Sequence, residues 1–158
     1  MRKTISPDLV FEKPQAEKFL TLLDEGQERF TFQTFDDHKN RGDKSLVRVL
    51  NGTFEEHYST LASLNRRGAG VYVTVNETDL KGRRLENMIR PRAVFQEADR
   101  PGTPEPPLTS HIVVESSPNK FHRYLLVEKD QHIEWSDWEG VMRRMVAVHG
   151  SDPNAKDR

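Results

Sequence analysis

The sequence predicts an α+β fold, one curved antiparallel or mixed sheet with helices packed on one side. Three observations predict it. Short strand-like runs rich in β-branched and aromatic residues recur at positions 29–35, 70–75, 92–95, 112–115 and 121–127, and the first alternates apolar with polar residues, the period of two that marks a strand. Three other stretches, around residues 16–23, 54–64 and 135–148, carry the 3.6-residue period of a helix instead. The connections between the strands are short, which favours antiparallel neighbours over a doubly wound sheet.

Taken in order, residues 1–28 read as a lead-in and a helix. Pro14 stands at or near the helix start, Ala16, Phe19, Leu20 and Leu23 form its apolar stripe, and Gly26 stops it. In the strand that follows, Phe30, Phe32 and Phe35 nearly share a face, with Arg29, Thr31 and Gln33 opposite, so a half-buried strand ending at Asp36-Asp37 is expected. Residues 45–50 fit either a short strand or a helical turn. Thr53 followed by Glu56 has capping-box spacing, and Phe54, His57, Tyr58, Leu61 and Leu64 continue as a helix to Arg66-Arg67-Gly68. Val71, Val73 and Val75 line one side of the next strand. A polar turn over residues 76–84 and a helical turn over 85–89 lead to Arg90-Pro91-Arg92. Trp135, Trp138, Val141, Met142, Met145 and Val148 space out as the buried stripe of a final helix that ends near Gly150.

The size of the chain, 158 residues, suits one domain, and 34% apolar against 31% charged residues allows a modest core. The absence of cysteine removes disulfides and thiol catalysis and fits a reducing compartment. No run approaches eighteen apolar residues and no apolar signal segment opens the chain, so a cytoplasmic protein without a membrane span is expected. With 24 basic and 25 acidic side chains the net charge is −1. That balance argues against coating nucleic acid by bulk charge and leaves room for a local basic patch.

The most informative stretch is residues 90–124. A strand ending in Gln96-Glu97-Ala98-Asp99 projects Glu97 and Asp99 to one side, because residues two apart share a face. A proline-rich loop then leads to two hairpin-joined strands, with Ser117 in the turn, Lys120 just after it and His122 on the second strand. This arrangement brings Glu97, Asp99, Lys120 and His122 into one cleft. Paired carboxylates suit Mg²⁺ or Mn²⁺, which takes oxygen ligands and completes its shell with substrate phosphates. A third acid would come from beyond the last helix, where Asp152 and Asp157 are available. Lys120 and His122, with Ser117 in the same turn, are the candidates for nucleotide contacts. Arg83, Arg84, Arg90 and Arg92 are the candidates for tracking a nucleic-acid backbone. Each feature also has an ordinary reading: a strand terminus, a half-buried histidine, a common turn composition. Trp135 and Trp138 read as core.

In order along the chain, FQTFDD, GAGVYVTVNETD, RPRAVFQEAD, VVESSPNKFHRYLLVE and GSDPNAKDR resemble the primase domain of plasmid and phage replication proteins, the RepB-like members of the archaeo-eukaryotic primase superfamily. The resemblance covers residues 29–158. It implies an RRM-like catalytic core that makes primers from nucleoside triphosphates on a single-stranded DNA template, with a divalent metal and a helicase domain or protein as partner. It also implies that Glu97 and Asp99 stand at the paired-acid motif and His122 at the histidine motif, with Asp157 as third acid and Asp152 its rival. The first acid is glutamate where aspartate is usual. Family members continue into an arginine-rich strand, so the domain reads as truncated after Arg158. Two further readings are carried: a non-catalytic single-stranded DNA-binding or replication-assembly module of the same fold, and a metal-dependent nuclease or phosphatase.

Overall fold

The computed structural model describes residues 12–153; residues 1–11 of the expected lead-in, and Asp157, lie outside the described residues. Helix α1 (Lys13–Leu23) carries Pro14 in its first turn, where a missing N–H leaves no bond unmade. It buries Leu20 and Leu23, and the Phe19 ring meets Tyr124 edge-on at 5.5 Å.

Strand β1 (Arg29–Asp36) runs antiparallel between β2 (Arg48–Thr53) and β3 (Ala69–Val73). Its central position corrects the half-buried expectation. Thr31 and Thr34 are as buried as Phe30 and Phe32, and their hydroxyls are satisfied. Thr31 Oγ1 donates to Asn51 Oδ1 at 2.7 Å and lies 2.6 Å from Thr78 Oγ1, while Thr34 Oγ1 donates to the Leu46 carbonyl at 2.6 Å. Phe35 stands opposite Phe30 and Phe32, as its odd position requires, and its ring lies 4.8 Å from that of Tyr72. The ambiguous segment is both things in turn: a 3₁₀ turn at Lys44–Leu46, then β2. Helix α2 (Phe54–Arg66) begins with the expected capping box, in which Thr53 Oγ1 accepts from the Glu56 amide and the Glu56 carboxylate from the Thr53 amide.

The remaining strands form two more antiparallel sheets. A small one pairs β4 (Glu77–Thr78) with β5 (Met88–Arg90). The other has the order β6-β8-β7, from β6 (Ala93–Ala98), β7 (Ile112–Ser117) and β8 (Lys120–Leu126). The α+β class therefore holds, but the single curved sheet is divided in three. The division falls where buried polar side chains replace ladder bonds: the Arg92 amide donates to Asn76 Oδ1 at 3.2 Å, and both residues are buried. Phe30 and Phe32 of one sheet and Phe95, Ile112 and Tyr124 of another share one core with α1, α2 and the last helix, α3 (Trp135–His149). No helix of the described residues is long and apolar enough to cross a membrane.

A buried charge cluster joins these parts. Asp24, just past α1, accepts Arg92 Nε at 2.6 Å and Arg90 Nη2 at 2.7 Å, and Lys129 Nζ lies 3.4 Å from its other oxygen. Arg90 Nε also donates to Glu77 at 2.7 Å, and the Arg92 guanidinium lies 4.9 Å from the centre of the Phe30 ring. Burial pulls the Arg92 pKa below its ordinary value and the Asp24 carboxylate opposes the shift. At the far end of β1, Asp36 gathers a loop by accepting two bonds from Arg41 and the amides of His38 and Asp43.

Removing one partner of a buried pair strands the other charge. Asp24→Ala should therefore cost about 3–5 kcal/mol of stability, read as a fall in the urea midpoint. The bond from Arg41, aided by the two amides, holds the Asp36 carboxyl well below the usual carboxylate range. Its contribution is full above the unfolded carboxylate pKa of about 3.9 and is lost as pH falls through the lower folded value. The stability gap between wild type and Asp36→Asn should thus be widest near pH 7 and close as the pH drops from about 4 towards 2, as followed by thermal melts.

Candidate active site at the end of strand β6

The inner edge of β6 pairs with β8, and the register sets Glu97 opposite His122 and Ala98 opposite Phe121. Val114 of β7 flanks His122 on its other side. Directly opposed residues in an antiparallel pair have Cβ atoms about 4.5–5.5 Å apart, so Glu97 and His122 are side-by-side neighbours. They occupy the face that carries Phe95 and Tyr124 further down the same strands. Along that face burial falls off: Phe95 and Tyr124 belong to the core, Glu97 and His122 are half-buried, and Asp99 and Lys120 are exposed. The β6–β8 ladder ends at Ala98 and Phe121, so Asp99 lies just past the end of β6 while Lys120 opens β8. Burial, with the Glu97 charge adding to it, pushes the Tyr124 phenol up. Ser117 closes the β7–β8 hairpin opposite Lys120, past a bulge at Ser116, and Asn119 in its tip takes a left-handed φ of 63°.

Among the described residues, the outer edge of β6 faces no strand. The α3 helix and the residues after it satisfy its backbone instead. Trp138 Nε1 donates to the Ala93 carbonyl at 2.8 Å, and the Phe95 amide to Met142 Sδ at 3.4 Å. Gly150, at φ 65°, ends the helix in the left-handed conformation that glycine adopts without strain, and the chain turns back onto β6. There the Glu97 amide donates to Ser151 Oγ at 3.0 Å, and the Asp152 amide to the Glu97 carbonyl at 3.0 Å. Of the two rivals for the third acid, Asp152 is thus a backbone neighbour of Glu97, whereas Asp157 lies outside the described residues.

No three histidine, aspartate or glutamate side chains gather into a metal-holding group among the described residues. The donors present are Glu97 and Asp152, joined through their backbones, with Asp99 beyond the strand end. Two carboxylates match what magnesium takes from a protein when substrate phosphates and water supply its other ligands.

The arginines fare differently. Arg92 has a side chain only 2% exposed and Arg90 one 20% exposed, both committed to Asp24. Arg92 also lies five strand positions from Glu97, about 16 Å away. The expectation that Arg90 and Arg92 track a nucleic-acid backbone is corrected: they hold the fold. Arg83 and Arg84 sit in the turn of the β4–β5 hairpin, rooted at the Arg92 end of β6, and the Arg84 side chain is 83% exposed. The cations nearer Glu97 are Lys120, Arg100 and Arg123, and the last two were not singled out by sequence. Arg123 and Phe121 alternate with His122 and so occupy the opposite face of the sheet. Together with Arg100 and Asn119 they line a hollow of about 260 Å³. The available signal was the period-two spacing of Phe121 and Arg123 around His122.

Compared with family models, curated proteins and solved structures, the chain finds no match.

Ser151 is buried, and its hydroxyl accepts from the amide of the candidate acid Glu97 itself. Ser151→Ala leaves that amide without a side-chain acceptor, so stability should fall by about 1–3 kcal/mol. Hydrogen exchange of the Glu97 amide should accelerate more than that of Phe95.

Proposed function

We propose that this chain is a primase-type nucleotidyltransferase domain that joins nucleoside triphosphates on a single-stranded DNA template with Mg²⁺ or Mn²⁺. The observation that carries the reading is the register pairing of Glu97 with His122 at the open end of the β6–β8–β7 sheet. The motif order supplies the family, and the expected RRM-like core belongs to the same proposal. In this reading Glu97, with Asp99 and Asp152, holds the ion, and Asp157 is the further acid to test. A bound ion neutralises charge that develops on the phosphate oxygens. His122 donates from its imidazole to a phosphate oxygen, and Lys120, exposed beside the hairpin turn, acts as a point charge for the triphosphate. Ser117 adds a hydroxyl donor at the same end.

A non-catalytic DNA-binding module of this fold is the second reading. It needs only exposed cations, and Lys120 and the Arg84 side chain, 83% exposed, supply them.

Template, nucleoside triphosphates and Mn²⁺ should give short oligonucleotides that disappear on adding EDTA. A Glu97→Ala/Asp99→Ala double variant and His122→Ala should each lower synthesis about a hundredfold or more, with unchanged circular dichroism. Synthesis that survives the double variant removes the metal role from these acids. Salt-sensitive DNA binding without synthesis favours the second reading, and cleavage of labelled DNA instead points to a nuclease.

A further inference from the structure

On the sheet face opposite Glu97 and His122 lies the hollow of about 260 Å³ lined by Arg100, Thr103, Asn119, Phe121 and Arg123. Its walls are fixed by local chemistry. Arg100 opens the turn Arg100-Pro101-Gly102-Thr103, with proline second and glycine at φ 78° third, the signature of a type II turn. The Thr103 amide and hydroxyl both donate to the Arg100 carbonyl, at 3.2 and 2.7 Å. The loop is tied down behind the turn: Gln96 is fully buried and its Nε2 donates to the Pro104 carbonyl at 2.8 Å and to the His149 carbonyl at 2.6 Å.

The same glutamine orients the second cation. Arg123 Nη1 donates to Gln96 Oε1 at 3.0 Å, and the guanidinium lies 5.4 Å from the centre of the Phe121 ring. That fixes one end of a five-donor group on a side chain that lines the hollow, with Nη2 at its other end. The anion nearest that other end is Glu105, at 3.9 Å from Nη2, beyond hydrogen-bond length, on a side chain 81% exposed. A carboxylate so loosely placed is a weak surface partner that another anion can replace. Glu115, the cross-strand partner of Phe121, is engaged next to it, where its carboxylate accepts the Asn119 amide at 3.0 Å.

We infer that this hollow binds a phosphate group between Arg100 and Arg123, displacing Glu105. A planar guanidinium fixed through one nitrogen suits the oxygens of a phosphate. The phosphate belongs either to a nucleotide or to the backbone of a single-stranded nucleic acid. The site is separate from the acid pair on the other face and does not depend on metal.

The test uses the full chain in EDTA at low salt, so that metal-dependent binding at Glu97 is silent. The probes are ATP by calorimetry and a fluorescein-labelled ten-thymidine oligonucleotide by anisotropy. At least one should bind. Arg100→Ala and Arg123→Lys should each weaken it about tenfold; Arg100 is exposed, and lysine keeps a cation at position 123. Glu105→Gln should tighten binding about threefold, a direction that general loss of fold does not produce. Binding of ATP alone assigns the site to nucleotides, and binding of the oligonucleotide assigns it to a backbone. The inference is overturned if neither probe binds, or if binding ignores Arg100→Ala and Glu105→Gln. It is overturned equally if binding is lost in the Glu97→Ala/Asp99→Ala variant. Loss of primer synthesis in that variant with phosphate binding intact would separate the two sites.

Discussion

The outer edge of β6 is the constraint on which the rest of the structure turns. An unpaired strand edge exposes backbone donors and acceptors that invite pairing with other chains. Here the partners come from one helix and the turn behind it: Trp138 donates at Ala93, Met142 accepts at Phe95, and at Glu97 Ser151 accepts and Asp152 donates. Because these contacts follow the strand from end to end, they set where α3 lies and where the chain goes after Gly150. They also hold the backbone of Glu97 from one side while the β8 ladder holds it from the other. A half-buried carboxylate is thereby presented from a rigid backbone, which a reactive position requires.

The opposite end of β6 is organised by charge. Asp24, Arg92, Arg90 and Glu77 bind α1, the β4–β5 hairpin and the start of β6 into one joint. Taking such groups out of water is costly unless each finds a partner, and here each does. Arginines that look on paper like a basic patch for nucleic acid are consumed inside. The β6 strand thus has one end tied by charge and, about 16 Å of extended chain away, the end where the proposed site lies.

Features set by neighbours in sequence were readable from it. Pro14 at the start of α1, the Thr53–Glu56 capping box, the β7–β8 hairpin and the Gly150 stop are each decided within a few residues. So is the shared face of Lys120 and His122, two positions of β8, because period two is local. What could not be read depends on distant partners. The partner of Arg92 is Asp24, 68 positions away, and no local pattern announces that pairing. Thr31, read with Arg29 and Gln33 as the side of β1 away from the phenylalanines, became interior once β2, β3 and Thr78 closed over it. The division of the sheet follows from the same buried polar joint at Asn76 and Arg92. The hollow on the second face needed Gln96, an ordinary residue in sequence, to reach the loop, the helix end and Arg123 together.

The central claim is that the end of β6 gathers a divalent ion between Glu97 and the residues beside it. Titrating Mn²⁺ into isotope-labelled protein and following amide signals tests this directly, since the ion broadens resonances near it. The account predicts that Glu97, Asp99, His122 and Asp152 lose intensity first, before Arg92 and its neighbours at the other end of the strand. Early broadening elsewhere, with these four unchanged, would contradict it.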